Sequence, residues 1–196
     1  NTEFKKIPGA PIAYNASVVV LSAFAESESL GSVVTPRLGM RTGDNDRFLR
    51  GWSEVDARTF ASNHPDAVSA KAAGSKWIPY NKGGQFRKWY GNRELVVNWY
   101  NDGYEIKVNT LANYPQLDWG NLGWKISNED FYFQRSITWA DVTAGANSFR
   151  HSPNGAIFDG RGSSAYPDPS LHEQILGYLD SNVALHFLGF ITSTLV

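Results

Sequence analysis

Residues Lys76–Lys107 have the sequence KWIPYNKGGQFRKWYGNRELVVNWYNDGYEIK, and the expected fold follows mainly from this segment. Lys76–Tyr80 and Glu94–Trp99 are short and rich in β-branched and aromatic residues, which predicts two strands. Residues 101–103 (Asn-Asp-Gly) are typical of a tight turn, and polar and apolar residues alternate in Tyr104–Val108. This pattern predicts a hairpin with the second strand, and therefore a mainly antiparallel sheet.

Helical patterns flank this sheet on both sides. Residues 14–27 carry apolar side chains at helical spacing, among them Val19 and Val20. Near the other end, Ser170 and Glu173 have the spacing of a capping box, and an apolar stripe then continues to Phe187. We therefore predict one α+β domain over residues 1–196. It has a mixed, mainly antiparallel sheet, an N-terminal helix and a C-terminal amphipathic helix.

Length and composition exclude several classes of protein. The 196 residues and 21.7 kDa fit a single globular domain. Cysteine is absent, which excludes disulfides and thiolate chemistry, and no apolar run is long enough to span a membrane. The sequence starts at Asn1 and shows no signal peptide. We expect a piece of a longer protein, either a mature product or an excised domain.

Charge is segregated along the chain although the net charge is −1. Residues 37–93 hold eleven basic and five acidic residues, a net charge of +6, and the remainder holds 7 basic and 14 acidic residues, a net charge of −7. A local basic block can form an anion-binding face even when the whole chain is neutral, although it can equally be an ordinary solvated surface.

Basic and aromatic residues interleave within Lys76–Lys107. Lys and Arg side chains neutralise phosphates, aromatic rings stack on bases, and Asn and Gln amides suit adenine edges. The alternative is a tryptophan-rich core covered by the aliphatic stems of basic side chains. Composition alone favours DNA binding only slightly.

Catalytic and metal-binding signatures are missing. His172-Glu173 begins the pattern of a zinc helix, but Leu176 stands where the second histidine is needed. The four histidines lie in unrelated contexts, which favours structural roles. The glycine turn Phe158–Gly162 matches the F-x-G-x-G turn that many methyltransferases use against S-adenosylmethionine. The prolines at 167 and 169 oppose the helix that must follow such a turn, so Gly160 and Gly162 are weak cofactor candidates.

Long blocks of the chain resemble a known family. In order, the blocks are residues 7–14, 39–50, 82–92, 97–99, 101–103, 137–139, 148–150, 157–159 and 175–181. Together they resemble the region C-terminal to the catalytic domain in PglX-type adenine-specific DNA methyltransferases of BREX phage-exclusion systems. Related type II restriction–modification methylases are similar.

The resemblance implies a division of labour between this chain and an upstream catalytic domain. In the family that domain binds S-adenosylmethionine and carries an Asn-Pro-Pro-Tyr motif, which this sequence lacks. The fragment is then not catalytic and holds no cofactor, whereas the parent enzyme uses S-adenosylmethionine. It supplies target recognition, with double-stranded DNA, the catalytic domain and other defence-system subunits as partners.

The expected DNA contacts lie in the two longest blocks and just after them. The candidate residues are Arg41, Asn45, Arg47, Lys82, Gln85, Arg87, Lys88, Asn92 and Arg93. Trp89 and Tyr90 are either stacking groups or core residues, with core favoured. Two other functions stay open. A carbohydrate-binding module predicts salt-indifferent binding to polysaccharide, and a protein-interaction scaffold of a defence complex predicts no DNA binding by the isolated chain.

Overall fold

The computed structural model describes residues 5–142 and 145–191, which form two four-stranded sheets. One sheet has the order β1-β8-β5-β6 and the other β2-β4-β3-β7, and only β3 and β7 pair in parallel. The predicted α+β class with a mixed, mainly antiparallel sheet is therefore confirmed. The strands are β1 (Val34–Arg37), β2 (Leu49–Gly51), β3 (Trp77–Asn81), β4 (Leu95–Asn98), β5 (Ser136–Thr138), β6 (Arg150–Ser152), β7 (Ile157–Phe158) and β8 (Ser164–Pro167).

Six α-helices connect and cover the two sheets within the described residues. They are α1 (Val18–Glu26), α2 (Asn45–Phe48), α3 (Ala67–Ala72), α4 (Tyr100–Asn113), α5 (His172–Leu179) and α6 (Asn182–Ile191). The predicted N-terminal helix is confirmed as α1, but Val19 is 78% exposed and Val20 and Leu21 are its buried residues. No helix in the described parts of the chain is long and apolar enough to cross a membrane.

The two strands predicted in Lys76–Lys107 are confirmed as β3 and β4. They pair antiparallel, with Ile78 opposite Val97, and neither side chain has any solvent exposure. The largest core cluster forms around this pair, between the sheet and α4. A second cluster lies between the other sheet and α5, and a third between α1 and α6.

The predicted strand Tyr104–Val108 is wrong, because this segment belongs to α4. Residues 101–103 all have positive φ values, of 49°, 61° and 69°, a conformation that Asn, Asp and Gly tolerate better than other residues. They turn the chain into a helix instead of a hairpin. A Cβ on Gly103 would lie 2.6 Å from the Trp99 indole, so the turn also requires glycine for close packing.

The C-terminal apolar stripe does not form one continuous helix. It is divided into α5 and α6, with a break at Asp180 and Ser181. The Asp180 carboxylate accepts hydrogen bonds from the backbone N–H groups of Phe149 and Trp89, which ties the end of α5 to distant strands and loops. The predicted capping box is also wrong. Asp168 accepts the N–H of Ser170, and Glu173 pairs instead with Arg135.

Candidate nucleic-acid interface

Three cations from distant parts of the sequence surround one cavity of about 500 Å³. Arg41 follows β1, Lys82 follows β3, and Arg161 lies in the turn after β7. We call this cavity the cationic pocket. Its lining is completed by Thr42, Gly43, Asn45 and Asp159.

Backbone hydrogen bonds hold the three segments of the cationic pocket together. The Met40 N–H donates to the Phe158 carbonyl at 3.0 Å, and the Gly160 N–H donates to the Met40 carbonyl at 2.8 Å. The Asp159 N–H donates to the Asn81 carbonyl, also at 2.8 Å. These bonds prolong β7 on both sides, so the positions of the three cations are fixed by main-chain pairing and not by their own side chains.

Asp159 forms the buried floor of the cationic pocket, with 8% of its surface exposed. One carboxylate oxygen accepts the Tyr80 hydroxyl at 2.8 Å and the other accepts the Arg161 N–H at 2.7 Å. Burial and the neighbouring Asp159 charge raise the pKa of Tyr80 well above its ordinary value, so Tyr80 stays a neutral donor. The carboxylate is therefore used to shape the turn that carries Arg161.

The cations of the cationic pocket keep their side-chain donors unused. Within residues 5–142 and 145–191, Arg41, Lys82 and Arg161 make no side-chain hydrogen bond to protein and no salt bridge at 4.0 Å or less. Burial lowers the pKa of Lys82, the Asp159 charge opposes this effect, and the Arg161 charge adds to it. Three cations and one carboxylate leave a local charge of +2, which suits an anion.

A second cavity of about 500 Å³ adjoins the first, because Lys82 lines both. It is bordered by Gln85, Arg87 and Asn92, and we call it the loop cavity. Here the polar groups are partly engaged. The Asn92 amide donates to the Gln85 carbonyl at 2.8 Å, and the Arg87 guanidinium pairs with Glu94 at 3.0 Å. Six of the nine candidate residues thus border the two cavities, namely Arg41, Asn45, Lys82, Gln85, Arg87 and Asn92.

The other three candidate residues do not line either cavity. Lys88 donates from Nζ to the Asp180 carbonyl at 2.6 Å, which is a contact within the fold. Arg93 donates to the Tyr90 hydroxyl at 2.9 Å. Arg47 lies beside α4, with Nη1 3.4 Å from Asn109 Oδ1 and Nη2 4.0 Å from Glu105 Oε2.

The aromatic residues of this region lie on the surface. Trp89 and Tyr90 were predicted as either stacking groups or core residues, with core favoured, and their exposures of 53% and 60% place them outside the core. Phe86 is 57% exposed. Trp89 is held through its backbone, since its N–H donates to the Phe149 carbonyl and its carbonyl accepts the His151 N–H, both at 2.9 Å. The segment 85–93, which we call the aromatic loop, therefore exposes its rings while its main chain is fixed.

A buried polar bracket lies beneath the aromatic loop and was not predicted. Arg150 is 1% exposed, and its Nη1 donates to the carbonyls of Arg87 and Ser148 at 3.3 and 3.4 Å. Asp180 accepts the N–H groups of Phe149 and Trp89 at 3.0 and 3.3 Å. Its charge opposes the lowering of the Arg150 pKa that burial causes. Apart from Ser148, the partners lie 31 to 91 positions apart in sequence, so no local pattern signals them.

The glycine turn does not fit the cofactor role that its sequence suggested. β8, and not a helix, follows Gly162, so no helix N-terminus faces the turn. A Cβ on Gly162 would lie 2.3 Å from the Asn81 carbonyl oxygen. Gly162 is thus needed for packing against the end of β3, and the turn lacks the following helix that the cofactor motif requires. The same turn carries Arg161, which sequence reasoning missed when it set the motif aside.

Two of the four histidines are in contact, contrary to our prediction that all four are unrelated. His151 Nδ1 and His172 Nε2 are 3.1 Å apart, and burial is the main cause that lowers the pKa of His172 to about 4. The pKa of His151 is also lowered, mainly by burial. Residues 5–142 and 145–191 contain no group of three or more His, Asp or Glu side chains that could hold a metal ion.

Two curated proteins resemble this chain, and no protein-family model matches it. The adenine-specific methyltransferase PglX of Lacticaseibacillus casei (strain Zhang) is 37% identical over 196 residues, which is 99% of this chain and 16% of that protein. The adenine-specific methyltransferase BrxX of Escherichia coli O9:H4 (strain HS) is 38% identical over 164 residues, which is 84% of this chain and 12% of that protein. The chain is thus homologous to one segment, less than a fifth of the length, of the adenine-specific methyltransferases PglX and BrxX.

Proposed function

We propose that this chain recognises the DNA target of an adenine-specific methyltransferase that serves a bacterial restriction–modification or phage-defence system. The partner that its surface contacts is double-stranded DNA. The observation that carries the proposal is the cationic pocket, where three cations that have no side-chain partner among the described residues converge from three separate segments. An enzyme that modifies adenine within DNA must hold the duplex, and clustered Lys and Arg side chains are the usual means.

The loop cavity and the aromatic loop extend this face beyond phosphate contacts. Gln85 lies on the rim of the loop cavity with an exposed amide, and Asn45 lies on the rim of the cationic pocket. Amide side chains can pair with two groups on the edge of adenine. Trp89 and Tyr90 are exposed on a fixed backbone, so they can stack on bases or wedge between base steps. Phosphate, base-edge and stacking groups thus occur on neighbouring segments of the chain.

The chemistry of methyl transfer belongs, in this proposal, to another part of the parent polypeptide. The chain contains no Asn-Pro-Pro-Tyr, and its glycine turn does not fit S-adenosylmethionine. The parent enzyme binds that cofactor in its catalytic domain, in the bacterial cytoplasm, and extrudes the adenine that this chain helps to locate. The catalytic domain and further defence subunits are the protein partners that we propose.

Fluorescence anisotropy with a labelled duplex over a range of salt concentrations tests the proposed function. The 196-residue chain is expected to bind, with an affinity that falls linearly with salt on a double-logarithmic plot. A matched titration with polysaccharide is expected to show no binding. Binding to polysaccharide that ignores salt, or no binding to any duplex at low salt, would contradict the proposal.

A further inference from the structure

The cationic pocket differs from a general basic surface because its cations do not donate to protein groups within the described residues. Most of the other arginines in the described residues donate to protein groups, as Arg58 does to Asp56 and Arg87 does to Glu94. Arg41 and Arg161 have no such partner there, although both border one cavity with Lys82. Donors that converge without protein acceptors are available to an external acceptor.

The backbone of the pocket is also held in place without any ligand. Its three segments are joined by main-chain hydrogen bonds of 2.8 to 3.0 Å, and two glycines permit their close approach. A Cβ on Gly39 would lie 1.9 Å from the Phe158 carbonyl oxygen, and a Cβ on Gly162 would lie 2.3 Å from the Asn81 carbonyl oxygen. Pre-organisation lowers the entropy cost of binding a small anion.

Asp159 does not cancel this preference for an anion. Both of its carboxylate oxygens already accept hydrogen bonds, from the Tyr80 hydroxyl and the Arg161 N–H. Its negative charge is buried beneath the turn, whereas Arg41 and Arg161 are exposed. The carboxylate therefore fixes the turn, while the cations face solvent at the rim.

We infer that the cationic pocket is a single-phosphate site, in which Arg41, Lys82 and Arg161 together hold one phosphodiester of the DNA backbone. The inference rests on the proposed function, since it names the DNA group that this site takes. Arg161, from the glycine turn that mimics a cofactor motif, is a phosphate ligand in this assignment. One anchored phosphate fixes the register of the duplex relative to Asn45 and Gln85, which is how phosphate contacts assist base recognition.

Duplexes with one uncharged methylphosphonate at a defined position test this inference by a double-substitution cycle. With the wild-type chain, one position is expected to weaken binding about tenfold, whereas its neighbours change affinity much less. With Arg161→Ala, affinity for the native duplex is expected to fall about tenfold and the salt slope by about one. In this variant, the methylphosphonate at the sensitive position should weaken duplex binding little further. Arg58→Ala is the matched control, because Arg58 is exposed and lines neither cavity.

The outcomes separate this inference from the proposed function. If the wild-type chain binds duplex but no position couples to Arg161, the single-phosphate site is wrong and DNA recognition stands. If it binds no duplex, both are wrong.

Should Arg161→Ala fail to fold, NMR of the wild-type chain with inorganic phosphate gives an independent test. Shifts of the Arg41 and Arg161 Nε–H signals without a shift for Arg58 support the site. An equal response of all three overturns it.

Discussion

The cationic pocket and the aromatic loop both contain several basic residues, yet their cations differ in whether they donate to protein acceptors. In the pocket, Arg41, Lys82 and Arg161 keep their donors unused within the described residues. In the loop, Lys88 and Arg93 donate to Asp180 and Tyr90, and Arg87 is paired with Glu94. Under the proposed function, a basic stretch therefore contributes to DNA binding only through the cations that the fold leaves without protein acceptors.

The bracket beneath the aromatic loop gives the largest expected effect. Asp180→Ala leaves the buried N–H of Phe149 without its acceptor and Arg150 without its nearby negative charge. We expect the free energy of unfolding to fall by about 2 to 4 kcal/mol, measured by urea denaturation. The exposed Asp130→Ala serves as the control and should change it by less than about 0.5 kcal/mol. Equal stability of the two variants would show that the loop does not depend on this bracket.

Acid should weaken the side of the molecule that carries the histidine pair. The pKa of His172 is lowered from 6.5 to about 4 in the folded chain. Between these pH values His172 is protonated in the unfolded chain but neutral in the folded chain. The contribution of neutral His172 to the free energy of unfolding is therefore fully present above pH 6.5 and is lost as the pH falls towards 4. We expect a loss of about 2 kcal/mol between pH 7 and pH 5, measured by urea denaturation at each pH.

His172→Gln provides the control for this pH dependence. The substitution removes the titrating group, so the free energy of unfolding should change less between pH 7 and pH 5 than in the wild type, whatever its absolute value. A pH dependence that is unchanged in His172→Gln would place its origin elsewhere in the chain.

Removing the acidic partner of Arg87 should make this cation available to DNA, and we expect this change to have the smallest effect on duplex binding. Glu94→Gln removes the charge at 3.0 Å from Arg87 on the rim of the loop cavity. We expect duplex affinity to rise about threefold and the salt slope to steepen by up to about one. Glu26→Gln makes the same charge change on α1, away from both cavities, and should alter the slope less. No difference between the two variants would mean that Arg87 stays away from DNA.

Sequence patterns predicted the parts of the fold that depend on local composition. β3 and β4 are confirmed, because runs of β-branched and aromatic residues predict buried strands directly. The prediction of a strand over Tyr104–Val108 was wrong, because alternation over a few residues does not reveal the left-handed turn that precedes them. The break at Asp180 was also missed, and the hydrogen bonds that Asp180 accepts there come from residues 31 and 91 positions away.

The candidate site was predictable only as a set of residue types. Arg41, Asn45 and Lys82 meet at one cavity, an arrangement that their residue types alone do not reveal. The sequence does not distinguish Lys88 from Lys82, but Lys88 Nζ donates to a carbonyl 92 residues away. Arg161 lies outside the basic block, and it reaches the pocket only because β7 pairs in parallel with β3. Which cations are available is therefore a property of the tertiary structure.

Duplex binding by two double variants across salt concentrations separates the cationic pocket from the aromatic loop. Arg41→Ala with Lys82→Ala removes two of the three cations of the cationic pocket, and Arg87→Ala with Lys88→Ala removes equal charge from the aromatic loop. We predict that the pocket variant loses about 30-fold or more in affinity and about one in the salt slope, since the single phosphate that the pocket holds contributes about 0.9. The loop variant should lose less than about fivefold, with a slope change below about 0.5. Equal losses, or a larger loss for the loop variant, would contradict the account.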